Sequence, residues 1–373
     1  FDSTNKMIGP KAYINIKRLK DNLLNIRTVL GSNMIMVVVK ANGYGHGALN
    51  IVDALKNEPD IIFCVFTVEE ALEIRNSGVS NNIFIFSKIH FSWLEIADVN
   101  NFWINISCFE DLEMITDYHN VNNSSPKVHI KFDTGMTRLG FDIKDAKKIF
   151  KKISQNQNIP IEGIYSHLST ADEGDLSFAK DQLDKFNETL KVAEKYGLNF
   201  KYIHCSNSGA ILNLPNSFFN TVRVGMLLYG VAPSDEVEMN PNLKPVMSFC
   251  GPIVHVRRVN ANTPVSYGGV YKTSKETNIA VVQTGFADGF PRPWYERGYV
   301  SYKGNYYKIA GRVCMDQLMI DFGETNPTIG EEVLFFGQKG DDELPIERIV
   351  NDISTTSYVL LTGIHGRTER FNI

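Results

Sequence analysis

The chain has 373 residues, 43% hydrophobic and 21% charged, which leaves room for two domains with ample cores. A formal net charge of −4 gives no reason to expect binding to nucleic acid or to an anionic membrane. No apolar run approaches the roughly 20 residues a membrane helix needs, and five cysteines without a Cys-x-x-Cys pair read as reduced cytoplasmic thiols rather than a disulfide framework or a metal site.

Residues 1–9 are polar and expected to be poorly ordered. No signal peptide is visible, and Phe1 in place of Met leaves open a piece cut from a longer polypeptide. Strand-like apolar runs then recur at Ile35–Val39, Ile61–Phe66, Ile83–Phe86, Trp103–Ile106, Val128–Phe132, Ile161–Tyr165, Tyr202–Cys205 and Thr221–Val224. Segments with helical spacing separate them. Thr67 is placed to cap Val68–Ser77, with Glu69, Glu70 and Glu73 in its first turns. The segments 108–118, 144–155 and 177–196 follow the same pattern, the last stopping at Gly197. Eight alternating units predict a parallel (β/α)8 barrel over residues 11–238. From residue 239 the texture changes. Prolines 241, 245, 252 and 264 punctuate a linker, and short runs follow at Ser248–Val259, Ile279–Thr284, Tyr299–Tyr302, Tyr306–Ile309, Leu318–Ile320 and Glu332–Phe336. Residues 239–373 are therefore expected to form a mainly-β domain.

A parallel barrel carries its chemistry at the C-terminal ends of its strands. The unusual polar residues fall there: Lys40 after the first strand, Asp133 to Arg138 after the fifth, Ser166-His167 after the sixth, Ser206 to Gly209 after the seventh and Gly225 after the eighth. Lys40 ends a buried apolar run and is followed by Gly43, Gly45 and Gly47. Desolvation at such a site lowers the pKa of a lysine and suits it to Schiff-base chemistry. The glycines let backbone approach a ligand closely. Ser208 and the N–H groups of Gly225 and Met226 suit a phosphate at the seventh and eighth strand ends. Taken singly, Ser208 and Gly225 also read as ordinary turn residues.

Six motifs occur in order beside the Val39–Gly47 stretch. They are Lys131–Gly140, Tyr165-Ser166-His167, His204–Ser208, Arg223–Met226, Val265–Gly268 and Gly311–Asp316. Together they resemble the alanine racemase family, from about Ala12 to Arg370. The resemblance implies a pyridoxal-phosphate enzyme that interconverts L- and D-alanine and supplies D-amino acid for peptidoglycan. It makes Lys40 the lysine that holds the cofactor and one of two catalytic acid–base groups. The other is Tyr267, contributed by the β domain of a second subunit, so that a homodimer shares its active sites. Tyr44 and Tyr358 become phenol donors to the phosphate, with Asn207, Ser208, Gly225 and Met226 also at the cofactor. Arg223 faces the pyridine nitrogen, and His167 is hydrogen-bonded to it and stands beside Tyr267. Arginine stays protonated and cannot take the proton of that nitrogen, so a carbanion is weakly delocalised and returns its proton to the α-carbon. Arg138 clamps the substrate carboxylate and the cofactor phenolic oxygen, and Met315, again from the second subunit, meets the same carboxylate through its N–H. Lys131 matches a lysine carried as a carbamate in many members. A plain Lys131–Asp133 ion pair is the other reading. Asp172, His204, Arg292 and Arg312 match residues of the access corridor. Where the family usually has tyrosine, this chain has Phe286.

Three rival readings remain at this level. The first is the catalytic domain of a larger membrane-bound serine/alanine racemase. The second is a decarboxylase of the same architecture, against which Arg223 argues because those enzymes place an acid at the ring nitrogen. The third is a lone-barrel pyridoxal-phosphate carrier, against which the β domain argues.

Overall fold

The computed structural model describes residues 9–156, 158–239 and 242–373. Residues 1–8 of the polar leader and Pro241 of the predicted linker lie outside the described residues.

All eight predicted barrel strands are present, with ends shifted by at most two residues: Met34–Val38, Ile61–Val65, Ile83–Lys88, Phe102–Ile106, Lys127–Asp133, Ile161–Tyr165, Tyr202–His204 and Thr221–Val224. They pair in parallel in chain order, and the last strand pairs with the first. Between the seventh and eighth strands the ladder gives way to single bonds. The Arg223 N–H donates to the Ser206 carbonyl at 3.2 Å, and the Ile203 N–H donates to Asn220 Oδ1 at 2.8 Å. The barrel is thus nearly closed. Its strands are mainly apolar because helices cover the outside and side chains fill the inside; Ile61–Val65 is apolar and buried at every position.

The helices outside the barrel follow their capping signals. Thr67 and Glu70 form a reciprocal capping box at the start of Val68–Asn76. Ser177–Lys195 runs into Gly197 at φ +70°. A further helix, Ile16–Leu30, precedes the first strand and starts at the cap residue Asn15. Its Asn22 donates to the carbonyls of Leu228 and Lys244, at 3.0 and 2.8 Å, pinning the helix to the chain that leaves the barrel.

The six predicted strands of the second domain are also present: Met247–Val259, Thr277–Val282, Tyr299–Tyr302, Asn305–Ile309, Leu318–Asp321 and Glu332–Lys339. They close into a ring, because the long Met247–Val259 strand pairs with Glu332–Lys339 near its start and with Thr277–Val282 near its end. The sequence reading had no strand at Lys11–Ile14. This strand runs antiparallel to Met247–Cys250 and parallel to Glu369–Asn372. It lies in the second sheet, although the 11–238 span had placed it with the barrel. A four-residue strand carries little local signal, and its partners come from the far end of the chain. Two short helices, Ile346–Ile353 and Ser357–Thr362, also belong to this domain. The second brings Tyr358 to the barrel mouth. Among the described residues no helix is long and apolar enough to cross a membrane.

Candidate active site

A cavity of about 490 Å³ opens at the C-terminal ends of the barrel strands. Lys40, Tyr44, Lys131, Arg138 and His167 line it, together with Asn207, Ser208, Arg223, Gly225 and Tyr358. Ten of the thirteen site residues expected from the sequence therefore meet in one space. Met226 is fully buried beside Gly225 but does not line it. Among the described lining residues four are cations (Lys40, Lys131, Arg138 and Arg223) and none is a carboxylate. Burial first, and then the Arg138 and Arg223 charges, lowers the pKa of Lys40 and takes that of Lys131 down to about 8. Among the described residues Lys131 forms no ion pair. The carboxylate of Asp133 instead accepts from the N–H groups of Gly135 and Arg138, at 2.8 and 3.0 Å.

Lys40 begins an unusual turn. Ala41, Asn42 and Gly43 have (φ, ψ) of (51°, 49°), (54°, 48°) and (62°, 42°), and Tyr44 has φ 51°. Four successive residues are left-handed, which costs roughly 1–2 kcal/mol for each non-glycine residue. The turn is held on several sides. The Ala48 N–H donates to Asn42 Oδ1 at 2.8 Å, and the Ala41 N–H to Glu70 Oε1 at 2.7 Å. Gly45 sits against the Ser357–Thr362 helix so closely that a Cβ would lie 2.0 Å from the Leu361 carbonyl oxygen. Arg370 Nε donates to the Gly45 carbonyl at 2.7 Å.

Arg223 is buried, and its orientation is over-determined. Its Nη2 donates to the carbonyls of Ser166 and Cys205, at 2.9 and 3.0 Å, and to His167 Nδ1 at 3.1 Å. Its Nη1 donates to His204 Nδ1 at 2.7 Å. An imidazole that accepts at Nδ1 carries its proton on Nε2. His204 Nε2 therefore donates to His129 Nδ1, 2.9 Å away. Desolvation, with Arg223 next, pushes His167 and His204 well below the usual imidazole range and His129 to about 3. All three rings are neutral. Gly163 makes space for this chain, since a Cβ there would lie 2.2 Å from His129 Nδ1. The expectation that His204 lines an access corridor is thus corrected. It is fully buried, stacked on Tyr165 at 4.7 Å between ring centroids, and serves Arg223.

On the opposite side lies a cradle suited to a phosphate. Asn207 caps the short Ser208–Asn213 helix through Ala210, and its Nδ2 donates to the Leu168 carbonyl at 2.9 Å. Ser208 Oγ accepts from the N–H groups of Gly225 (3.1 Å) and Leu227 (3.5 Å). A Cβ on Gly225 would lie 3.1 Å from the Tyr44 hydroxyl, so any larger residue would crowd that phenol. The rings of Tyr44 and Tyr358 meet edge to face at 5.8 Å. Burial raises the pKa of both phenols, which therefore stay protonated as donors.

Tyr267 and Met315 stand elsewhere. They are 66% and 55% exposed and do not line the cavity. They share one patch of the β domain. Ser266 Oγ donates to the Arg312 carbonyl at 2.5 Å, and the N–H groups of Phe286 and Ala287 donate to the Cys314 and Met315 carbonyls. Arg292 lies over the Phe286 ring at 5.7 Å. Asp172 lines a separate acidic hollow with Glu173, Asp235 and Glu236. Besides the apolar lining residues Val38, Phe66, Phe86 and Leu139, two polar residues at the site were missed as site residues in the sequence. Tyr165 lines the cavity with a buried hydroxyl that has no hydrogen-bond partner among the described residues, and Glu70 holds the Lys40 turn. The Tyr165-Ser166-His167 motif was a signal for the first. For the second the sequence offers only a helix-start acid.

Comparison with known proteins agrees over both domains. Residues 14–233 match the description of the alanine racemase N-terminal domain, and residues 246–372 that of its C-terminal domain. The alanine racemase of Desulforamulus reducens is 35% identical over 367 residues, covering 97% of this chain and 98% of that protein. The crystal structure of alanine racemase from a D-cycloserine-producing Streptomyces lavendulae superposes with a TM-score of 0.93 at 30% identity, over 99% of this chain and 98% of that one. Alanine racemase from Bartonella henselae, described with covalently bound pyridoxal phosphate, gives a TM-score of 0.88 at 26% identity, over 98% and 99% of the two chains. This chain belongs to the alanine racemase family of enzymes.

Proposed function

We propose that the protein interconverts L- and D-alanine with pyridoxal phosphate bound at Lys40. The observation that carries this reading is the cavity itself: four cations and no carboxylate among the described lining residues, around a desolvated lysine. Such a site fits a phosphate at one end and an amino-acid carboxylate at the other. When bound, the cofactor supplies an electron-withdrawing ring that acidifies the α-proton of an attached amino acid. Ser208, Gly225, Met226 and the phenols of Tyr44 and Tyr358 would hold its phosphate, with Asn207 setting the helix start behind Ser208. Arg223, locked by carbonyls and neutral imidazoles, would meet the ring nitrogen as a donor and could not supply the acidic partner that keeps such a nitrogen protonated. Arg138, with the N–H of Met315 from a second copy of the chain, would orient the substrate carboxylate. Lys131, as a carbamate, would carry a negative charge beside Arg138.

Racemisation needs a proton removed from one face of the α-carbon and supplied to the other. Lys40 Nζ serves one face. Tyr267 is an exposed residue outside its own chain's cavity, which supports a homodimer in which it serves the partner's second face with His167 beside it. The barrel acts as the cofactor-binding unit and the β domain as the unit that completes the neighbouring site. D-alanine for peptidoglycan, made in the cytoplasm, is the role this chemistry suits. The relatives described above are named for alanine, and nothing in the cavity favours serine.

The test is racemisation of L-alanine and L-serine in parallel, with borohydride trapping of the cofactor. Turnover of L-alanine above L-serine, with the reduced label on Lys40 and none in Lys40→Ala, is the expected result. Carbon dioxide release, or a label elsewhere, would overturn the reading.

A further inference from the structure

We propose that Glu70 is the positioning residue for Lys40, holding the reactive amine on its face of the substrate by clamping the backbone that follows it. This rests on the racemase reading above. The carboxylate of Glu70 lies at the start of Val68–Asn76, in the βα unit next to that of Lys40. An ordinary capping box uses one oxygen on the N-cap amide, and that bond is present, from the Thr67 N–H to Oε2 at 3.3 Å. Two shorter bonds go beyond it. Oε2 also accepts from the Phe66 N–H at 2.7 Å, and Oε1 accepts from the Ala41 N–H at 2.7 Å. Their lengths are those of charge-assisted bonds. Glu70 therefore ties the end of the second barrel strand to the residue directly after Lys40.

Ala41 is the first of four successive left-handed residues, and it has no glycine's freedom to adopt φ 51°. Its N–H is exposed, so water could replace the bond. Losing Glu70 should then cost folding little. Water cannot hold the direction of the turn, however, and the Cα–Cβ bond of Lys40 takes its direction from that turn. The loss should appear in proton transfer at the Lys40 face. Glu70 is also the carboxylate whose charge favours protonated Lys40 against Arg138 and Arg223.

The test compares Glu70→Ala, Glu70→Gln and Thr67→Ala with the unaltered holoenzyme, using alanine with hydrogen or deuterium at the α-carbon in both directions. In Glu70→Ala, kcat should fall about 10- to 100-fold with KM for alanine changed by no more than about threefold. The isotope effect should rise for the enantiomer whose α-proton faces Lys40 and fall for the other, because one of the two proton transfers has become slower. Glu70→Gln, which keeps one acceptor, should recover part of the loss. Thr67→Ala removes the helix cap and leaves the Ala41 bond, so it should lower the melting temperature and leave both isotope effects unchanged. In cofactor-free protein the Ala41 amide should exchange at least about tenfold faster in Glu70→Ala. Unchanged Ala41 exchange, isotope effects that move together in both directions, or the same kinetic loss in Thr67→Ala would each overturn the proposal. Absence of racemisation in the unaltered protein would instead overturn the racemase reading, and the exchange measurement stands apart from it.

Discussion

Lys131 is a buried amine among three other cations, and its pKa of about 8 lies below the 10.5 of a free lysine. Between those values the unfolded chain binds a proton that the folded chain does not, so stability rises with pH across that window. Below about pH 8 both states hold the proton and this contribution is flat. Denaturant melts across the window should show the rise in the unaltered protein and a smaller rise in Lys131→Met, because the lowered pKa of Lys40 contributes in the same direction. The same neutral amine can attack carbon dioxide. An N–C bond forms as one C–O π bond of carbon dioxide opens, the nitrogen gives up a proton to water, and a neutral amine beside Arg138 becomes an anion. Added bicarbonate should therefore raise the melting temperature, and ¹³C-labelled bicarbonate should give a carbamate signal that Lys131→Met lacks. An unchanged melting temperature and no such signal would leave Lys131 as a plain buried amine.

The turn from Lys40 to Gly47 is the element on which the site depends, and it stores backbone strain that its surroundings offset. Asn42 caps Ala48–Leu55, and Tyr229 donates to the Val38 carbonyl at 3.0 Å while stacking on His46 at 4.4 Å. Gly45, at φ +81°, has both a left-handed backbone and the Leu361 carbonyl against it. Gly78, at φ +88°, has nothing within 4 Å of its would-be Cβ. Gly78→Ala should cost about 1 kcal/mol, from the backbone alone. Gly45→Ala should cost about 3 kcal/mol or more and weaken cofactor binding, because the C-terminal helix carrying Tyr358 must move away. Equal costs in urea melts would show that the contact between the turn and that helix contributes nothing.

At the scale of the molecule, one chain presents a lysine in its cavity and an exposed tyrosine outside it. On the proposed mechanism, two copies joined head to tail would satisfy both. Lys40→Ala and Tyr267→Ala chains should each be inactive alone. Mixed and re-equilibrated, they should recover about a quarter of the unaltered activity, since half the random dimers are mixed and each holds one intact site. No recovery, or a monomer that racemises at full rate, would rule out shared sites.

Much of this architecture was legible in the residues. Parallel strands buried on both faces are continuous apolar runs, so all eight barrel strands could be read locally, and the polar residues at their ends marked the cavity. The six strands of the second domain were legible from their turns. Lys11–Ile14 was not, because a four-residue strand takes its place from partners at the other end of the chain. His204 could be found by motif but not interpreted; only packing buries it and turns its Nδ1 toward Arg223. Glu70 read as a helix-start acid, and the reach of Oε1 to Ala41 exists only once two neighbouring βα units are side by side. The sequence by itself determined most of the polar side chains that line the cavity and the barrel that gathers them, because those signals are local in burial and spacing. Only the tertiary structure decided which hydrogen bonds orient Arg223 and Lys40, and that Tyr267 stands outside its own cavity, because those are choices between partners distant in the chain.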